Sequence, residues 1–252
     1  MSEQLNEFWE RNVPMGFTDD KLSYTQKRDF RYKLQDYMQE VFRFADFRGK
    51  KVLDLGCGAG IDSVEFARHG AIVTSLDFSK AAVKCTKALF KEAGLRGTVV
   101  LGNAKNLQFP DESFDCVYSF GVLHHIQNVR QVLVEIVRVL KKHGIFMGML
   151  YNSDSLMHAM LLLRACHIRE KYLGVSIEDL ATRMTERVFG VPYSKLYTKG
   201  EVVELFSRYF VNVTVETRYN VIDTDCQRKL KFYLEDKNDD FGWHLIIKGE
   251  KR

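Results

Sequence analysis

The segment Val52-Leu53-Asp54-Leu55-Gly56-Cys57-Gly58-Ala59-Gly60 constrains this chain more than any other. A short apolar run enters alternating glycines, and residues 61–69 then carry helical periodicity. The run reads as a buried strand, the stretch after it as a helix, and the glycines as the tight turn between them. Glycine permits positive φ and lets a ligand approach where a Cβ would otherwise stand. The first turn of the helix leaves N–H groups unbonded. The spacing is Gly-x-Gly-x-Gly. That argues against a nicotinamide oxidoreductase, whose turn carries Gly-x-Gly-x-x-Gly. A strand–helix turn with no ligand stays open on the loop alone.

The same alternation continues downstream. Strands are predicted over 51–55, 71–76, 98–101, 114–120 and 144–151, and helices over 61–69, 79–94 and 128–140. Ser79 is a plausible N-cap and Gly94 a plausible stop. Alternation of this kind predicts an α/β, doubly wound, Rossmann-like sheet, with right-handed crossovers limiting the topology. Residues 1–48 read as mostly helical, with 27–44 close to a 3.6-residue pattern, so 1–48 is predicted to be a helical lid and 49–252 the main domain. After Tyr151 the rhythm breaks. Residues 152–195 are predicted as a helical cap inserted over the carboxyl ends of the strands, where ligands bind in such sheets. A helix over 198–210 opens on a capping box, Thr198 with Glu201. Closing strands follow at 210–217 and 243–249, with an acidic turn at 235–240.

Two polar residues stand at predicted strand ends. Asp77 ends the second strand, where a carboxylate can accept from a ribose diol; an acid merely capping the helix at Ser79 is the other reading. Asn103 follows the third strand, where its carbonyl could meet an exocyclic amine; an Asn-favoured turn is the other reading.

Composition narrows the class. A length of 252 residues, 46% hydrophobic and 28% charged, suits one large globular domain or a domain with a cap. A formal charge of +4 falls short of the basic stripe of a dedicated nucleic-acid binder. Five cysteines without Cys-x-x-Cys spacing predict neither a disulfide framework nor a metal site and fit a reducing, cytoplasmic setting. No secretory leader is visible at the N-terminus. The longest apolar runs, 145–151 and 157–163, are too short for a transmembrane segment.

Taken together, residues 52–60, Leu-Asp-Phe-Ser at 76–79, Gly-Asn-Ala at 102–104, Phe-Asp-Cys-Val-Tyr-Ser-Phe-Gly-Val-Leu-His-His at 114–125 and Leu-Lys-Lys-His-Gly at 140–144 closely resemble class I S-adenosylmethionine-dependent methyltransferases. The nearest likeness is to the type 11 branch, which holds ubiquinone/menaquinone-biosynthesis enzymes. The resemblance is strong over 50–151 and weaker at 197–202 and 242–246. It implies a seven-stranded sheet of order 3-2-1-4-5-7-6 with the last strand antiparallel. It implies S-adenosyl-L-methionine as cofactor. Gly56 and Gly58 would lie against its methionine part, with Asp54 ordering the loop and the amino group. Asp77 would hold the ribose, Phe78 and Ala104 would flank adenine, Asn103 would bind the adenine amine, and Phe120 would present backbone near the methionine amine. Many relatives carry Asp where this chain has Asn103.

Methyl transfer from a sulfonium is an in-line displacement, so alignment and water exclusion matter most. A hydroxyl or acidic carbon also needs a base, and His125 and Tyr151 stand at the rim as candidates. A packing histidine is the alternative for His125. Aromatic Phe8, Trp9, Phe17, Tyr24 and Tyr32 suit either a cover over a cation or helix packing. The apolar insertion, with Met157, Met160, Leu161, Met184, Val188 and Phe189, suits a hydrophobic acceptor pocket, core packing or a homodimer interface. Its Arg164, His167, Arg169, Lys171, Arg183 and Arg187 read as a solvated face or as an attractor of an anionic acceptor. The favoured function is methylation of the oxygen, nitrogen or carbon of a small, partly apolar metabolite. The alternatives are an RNA or protein methyltransferase, disfavoured because no nucleic-acid module and no Asn-Pro-Pro-Tyr-type motif is present, and a non-catalytic cofactor-binding scaffold.

Overall fold

The computed structural model describes residues 3–13, 22–186, 190–219 and 241–252. Phe17, Arg187, Val188, Phe189, Cys226 and the turn expected at 235–240 lie outside those residues.

Seven strands form one sheet: β1 (Lys51–Leu55), β2 (Ile72–Asp77), β3 (Thr98–Leu101), β4 (Phe114–Phe120), β5 (Leu140–Tyr151), β6 (Phe210–Arg218) and β7 (His244–Lys251). Their order is β3-β2-β1-β4-β5-β7-β6, as the family resemblance implies. Strands β1 to β5 pair in parallel, and β7 runs antiparallel between β5 and β6. The reversed seventh strand begins where β5 ends, pairing His244 with Tyr151. Both residues therefore reach the carboxyl-end rim of the parallel strands.

Side chains alternate between two buried layers because successive strand residues face opposite ways. Val52, Cys116 and Tyr118 enter one layer with Phe42, Phe44, Phe66 and Trp243. Leu53, Leu55 and Val117 enter the other with Leu133, Ile136, Phe146 and Phe206. Helices α4 (Ile61–Arg68), α5 (Lys80–Glu92), α6 (Val129–Val139) and α9 (Lys199–Ser207) serve as the crossovers and flanking elements. The expected caps form. Ser79 Oγ accepts from Ala82 N–H at 3.1 Å, and Thr198 and Glu201 complete their reciprocal box.

One strand boundary is corrected, and two helical segments are resolved in detail. The helical pattern over 27–44 belongs to two helices, α2 (Tyr24–Leu34) and α3 (Met38–Phe42), preceded by α1 (Glu3–Arg11). Gln35 interrupts the run, with its side chain bound by Arg31 Nη1 at 2.5 Å, and Tyr37 in the break bonds to His244. Tertiary hydrogen bonds thus override local periodicity. Strand β5 starts at Leu140 rather than Gly144, because Phe114 pairs with Leu140 across a register shift that the helical pattern of 128–140 hides. The insertion holds α7 (Leu156–Ile168) and α8 (Ile177–Thr182), whose Leu161, Ala165, Leu180, Ala181 and Met184 are buried in the core. Leu163 and Leu173 point to solvent. No helix among the described residues is long and apolar enough to cross a membrane.

Candidate functional site

A cavity opens where β1, β2, β4 and β5 end, between the glycine loop and the first residues of β7. Its floor is the turn after β1. Gly56, Gly58 and Gly60 adopt φ of 81°, 53° and 83°, a region that side chains with a Cβ rarely adopt. A Cβ at Gly56 would lie 2.3 Å from Val122 Cγ2. Asp77 pins the loop from the next strand. One carboxylate oxygen accepts from Gly58 N–H at 2.9 Å and the other from Ser79 N–H at 3.0 Å. Burial raises the Asp77 pKa, opposed by those backbone donors. A carboxylate has about four acceptor positions, so this one keeps capacity for donors arriving from the cavity.

Asp54, buried at the end of β1, accepts from Ser63 Oγ at 2.5 Å. Burial pushes its pKa up to about 7 despite that donor, helped by the nearby Asp62 and Asp77 charges. Beside it lies a pair absent from the sequence reading. Arg31 of α2 grips Asp62 of α4 through Nη2 at 2.7 Å and Nε at 3.2 Å. The Tyr118 and Tyr32 hydroxyls also donate to Asp62, at 2.9 and 3.0 Å. The Arg31 guanidinium carbon sits 4.5 Å from the centre of the Phe120 ring. Arg31, Gln35 and Asp62 all line the cavity. The spacing of Lys27, Arg31 and Gln35, each four residues on and each buried, is the signal that could have flagged a polar stripe on α2.

At the far wall, His125 and Tyr151 converge on one carboxylate oxygen. Tyr151 donates to Glu186 Oε1 at 2.6 Å, and His125 Nε2 lies 3.1 Å from the same atom. His125 Nδ1 lies 3.0 Å from the Tyr193 carbonyl. Both ring nitrogens thus face oxygen atoms of the protein. Burial and the Glu186 charge hold the Tyr151 hydroxyl well above its ordinary pKa, so it stays a donor. His124 points elsewhere. It is fully buried, stacks 3.9 Å from the Tyr151 ring and is kept neutral by burial. Neither of its nitrogens has a hydrogen-bond partner among the described residues. Spacing in the sequence suggests no metal site, yet the fold brings ligand atoms of His124, His125 and Glu186 within 4.8 Å of one another. The two nitrogens of His125 are already engaged within the protein.

Helix α1 covers the opening. Leu5 and Trp9 enter the wall, and the Trp9 ring lies 5.1 Å from His125. Glu10 anchors the helix by accepting from Lys80 and Ala81 N–H, at 2.6 and 3.0 Å, at the amino end of α5.

Residues 53–148 match the sequence profile of a methyltransferase domain. This segment is similar to methyltransferase domains. The chain is 39% identical over 116 residues to the mitochondrial ubiquinone biosynthesis O-methyltransferase of Schizosaccharomyces pombe, covering 43% of this chain and 41% of that protein. It is 34% identical over 145 residues to the fatty-acid O-methyltransferase of Mycolicibacterium smegmatis, covering 57% and 50%. The chain therefore spans half or less of the length of these curated relatives. The PH0226 protein of Pyrococcus horikoshii shares the fold, with a TM-score of 0.61 and 20% identity over 98% of this chain and 99% of that one.

Asp54, Gly56, Gly58, Asp77, Phe78, Ala104, Phe120, His125 and Tyr151 all border the cavity. Asn103 does not. It is exposed, and its Oδ1 accepts from Lys105 N–H at 3.0 Å, so its side chain closes a turn instead of facing adenine. Of the N-terminal aromatics described, Trp9 alone is in the wall; Tyr32 instead bonds to Asp62. From the insertion, Glu186 is the one described residue in the wall, while its Met and Leu residues pack away from the cavity. The residues fit the methyltransferase cofactor, S-adenosylmethionine: a glycine turn that lines the cavity and, packed on Val122, admits no Cβ at Gly56, and a desolvated carboxylate at Asp77 that lines the same cavity.

Proposed function

We propose that this protein transfers a methyl group from S-adenosylmethionine to an oxygen of a small, partly apolar metabolite. The observation that carries the reading is one cavity bounded by the Gly56–Asp77 cradle at one end and by the His125–Glu186–Tyr151 cluster at the other. When bound, the cofactor supplies a methyl group activated by a positively charged sulfur. The chain's own residues do the rest. Asp77 accepts from the ribose hydroxyls, the glycine loop admits the amino-acid tail, and Phe78 and Ala104 flank the base. Trp9 and Leu5 of α1 exclude water, which strengthens electrostatic interactions inside. Glu186, which lines the cavity and is held in place by Tyr151 and His125, is the carboxylate that takes the proton of an acceptor hydroxyl. The relatives named as O-methyltransferases support an oxygen acceptor, and the aromatic lining supports an apolar body.

The test is incubation with S-adenosylmethionine labelled on its methyl group and cell extract, followed by mass spectrometry. Label in a small organic-soluble molecule is the expected result. Label in RNA or protein, lost as salt is raised, would move the acceptor to a macromolecule. Cofactor binding by calorimetry with no labelled product from any extract would leave a binding protein on an enzyme fold.

A further inference from the structure

A second imidazole faces the cavity and has no part in the chemistry above. His244 opens β7, is 2% exposed and lines the cavity. Aromatic rings wall it in: Tyr219 at 4.5 Å, Phe120 at 5.6 Å and Tyr151 at 6.1 Å between centroids. The His125 ring lies the same 6.1 Å from Tyr151, so both imidazoles border the cavity as neighbours of Tyr151. His244 Nδ1 is 2.6 Å from the Tyr37 hydroxyl.

That contact fixes where the imidazole proton sits. A buried hydroxyl has to donate, and Nδ1 of His244 is the acceptor the structure gives Tyr37 among the described residues. Burial holds the phenol well above its ordinary pKa, so it keeps its proton. Burial and the neighbouring Arg31 charge push the His244 pKa well below the ordinary 6.5, so the ring is neutral. A neutral ring that accepts at Nδ1 carries its proton on Nε2. Nε2 is the nitrogen Tyr37 leaves for the cavity.

We infer that the Tyr37–His244 pair is a fixed hydrogen-bond donor that positions the methyl acceptor through a second oxygen, remote from the oxygen that is methylated. The inference rests on the methyl-transfer reading. It assigns the acceptor a class: a flat, apolar molecule with a hydroxyl at the His125 end and a neutral hydrogen-bond acceptor, such as a carbonyl or ether oxygen, at the His244 end. The guanidinium of Arg31 is engaged by Asp62, which favours a neutral over an anionic group there. The break between α2 and α3 acquires a role, since it delivers Tyr37 to the imidazole.

Two measurements test this. Long-range proton–nitrogen spectra of histidine-labelled protein, with His244 assigned by its loss in His244→Gln, should show Nε2 protonated and Nδ1 bare. Tyr37→Phe should weaken that preference. The opposite tautomer in the unsubstituted protein overturns the inference. The second measurement is calorimetric binding of 4-hydroxyacetophenone and 4-ethylphenol to protein saturated with S-adenosylhomocysteine. The phenols differ by one carbonyl oxygen, and the ketone should bind about fivefold to tenfold tighter, the worth of one hydrogen bond. His244→Phe should erase the difference, and His244→Gln, which keeps an N–H donor, should retain most of it. Lack of preference in the unsubstituted protein, or a preference surviving His244→Phe, rejects the donor role. Failure to bind S-adenosylhomocysteine strikes at the methyl-transfer reading instead, and the tautomer spectrum still decides the fate of the pair.

Discussion

His125 Nε2 lies 3.1 Å from Glu186 Oε1, across 61 residues of sequence. The carboxylate arrives on the inserted segment, and the imidazole follows β4. Tyr151 donates to the same oxygen, so three residues share one electrostatic unit. Replacing Glu186 by Gln keeps the shape but removes the carboxylate that takes the acceptor's proton. The turnover number should fall about 10²-fold to 10⁴-fold, the usual contribution of general acid–base catalysis. His125→Ala should cost a similar factor, and the double variant little more than either, because members of one unit are non-additive. Initial rates on the labelled acceptor check this, with cofactor affinity as the control. Additive losses would mean that the two residues act separately.

Asp77 carries the cofactor side. Its carboxylate is 7% exposed, and its oxygens already hold the Gly58 and Ser79 N–H groups. Asp77→Ala removes the partner of a ribose diol and frees the loop at Gly58. S-adenosylhomocysteine should bind more weakly by about 1–3 kcal/mol in calorimetry. Unchanged affinity would show that the sugar lies elsewhere.

Most of the fold was legible because it rests on local repetition. Alternating apolar runs and helical stripes gave every strand, and the glycine turn with Asp77 located the cavity. What stayed hidden depends on distant partners. Glu186 is one acid in a charged stretch until the fold carries it to His125. Arg31 sits in a helical pattern where Phe30 is the apolar neighbour, yet Phe30 is 46% exposed and Arg31 is buried against Asp62. His244 gained meaning only through Tyr37. Asn103 shows the converse. Its position after β3 suggested a ligand contact, but a short polar side chain beside a free N–H closes its own turn.

The cradle has a steric signature. Gly56 combines φ of 81° with a virtual Cβ 2.3 Å from Val122, whereas Gly94 has φ of 66° and open space around it. Gly94→Ala should cost about 1 kcal/mol, for the backbone alone. Gly56→Ala should cost distinctly more, because Val122 has to move as well, and it should also weaken cofactor binding. Urea unfolding of both variants separates the terms. Equal losses would mean that Val122 yields freely and that the loop tolerates a side chain.

Asp54 ties stability to pH in the direction opposite to most carboxylates. Burial raises its pKa from an ordinary 3.8 to about 7 in the folded protein. Between those values the unfolded chain has released the proton and the folded chain still holds it. Unfolding then releases protons, so the contribution of Asp54 is greatest below pH 3.8 and is lost as pH rises to about 7, by at most about 1.4 kcal/mol per pH unit. Glu65 runs the other way. Its arginine partners hold it at about 2 against burial, so its contribution is present above the unfolded value of 4.5 and is lost as pH falls. Urea unfolding of the cofactor-free protein between about pH 5 and 7 therefore isolates Asp54 from Glu65. The stability difference between the unsubstituted protein and Asp54→Asn should shift against the unsubstituted protein across that window. Parallel curves would mean that Asp54 ionises in the fold as readily as in the open chain, and that the Ser63 hydroxyl at 2.5 Å offsets the whole cost of its burial.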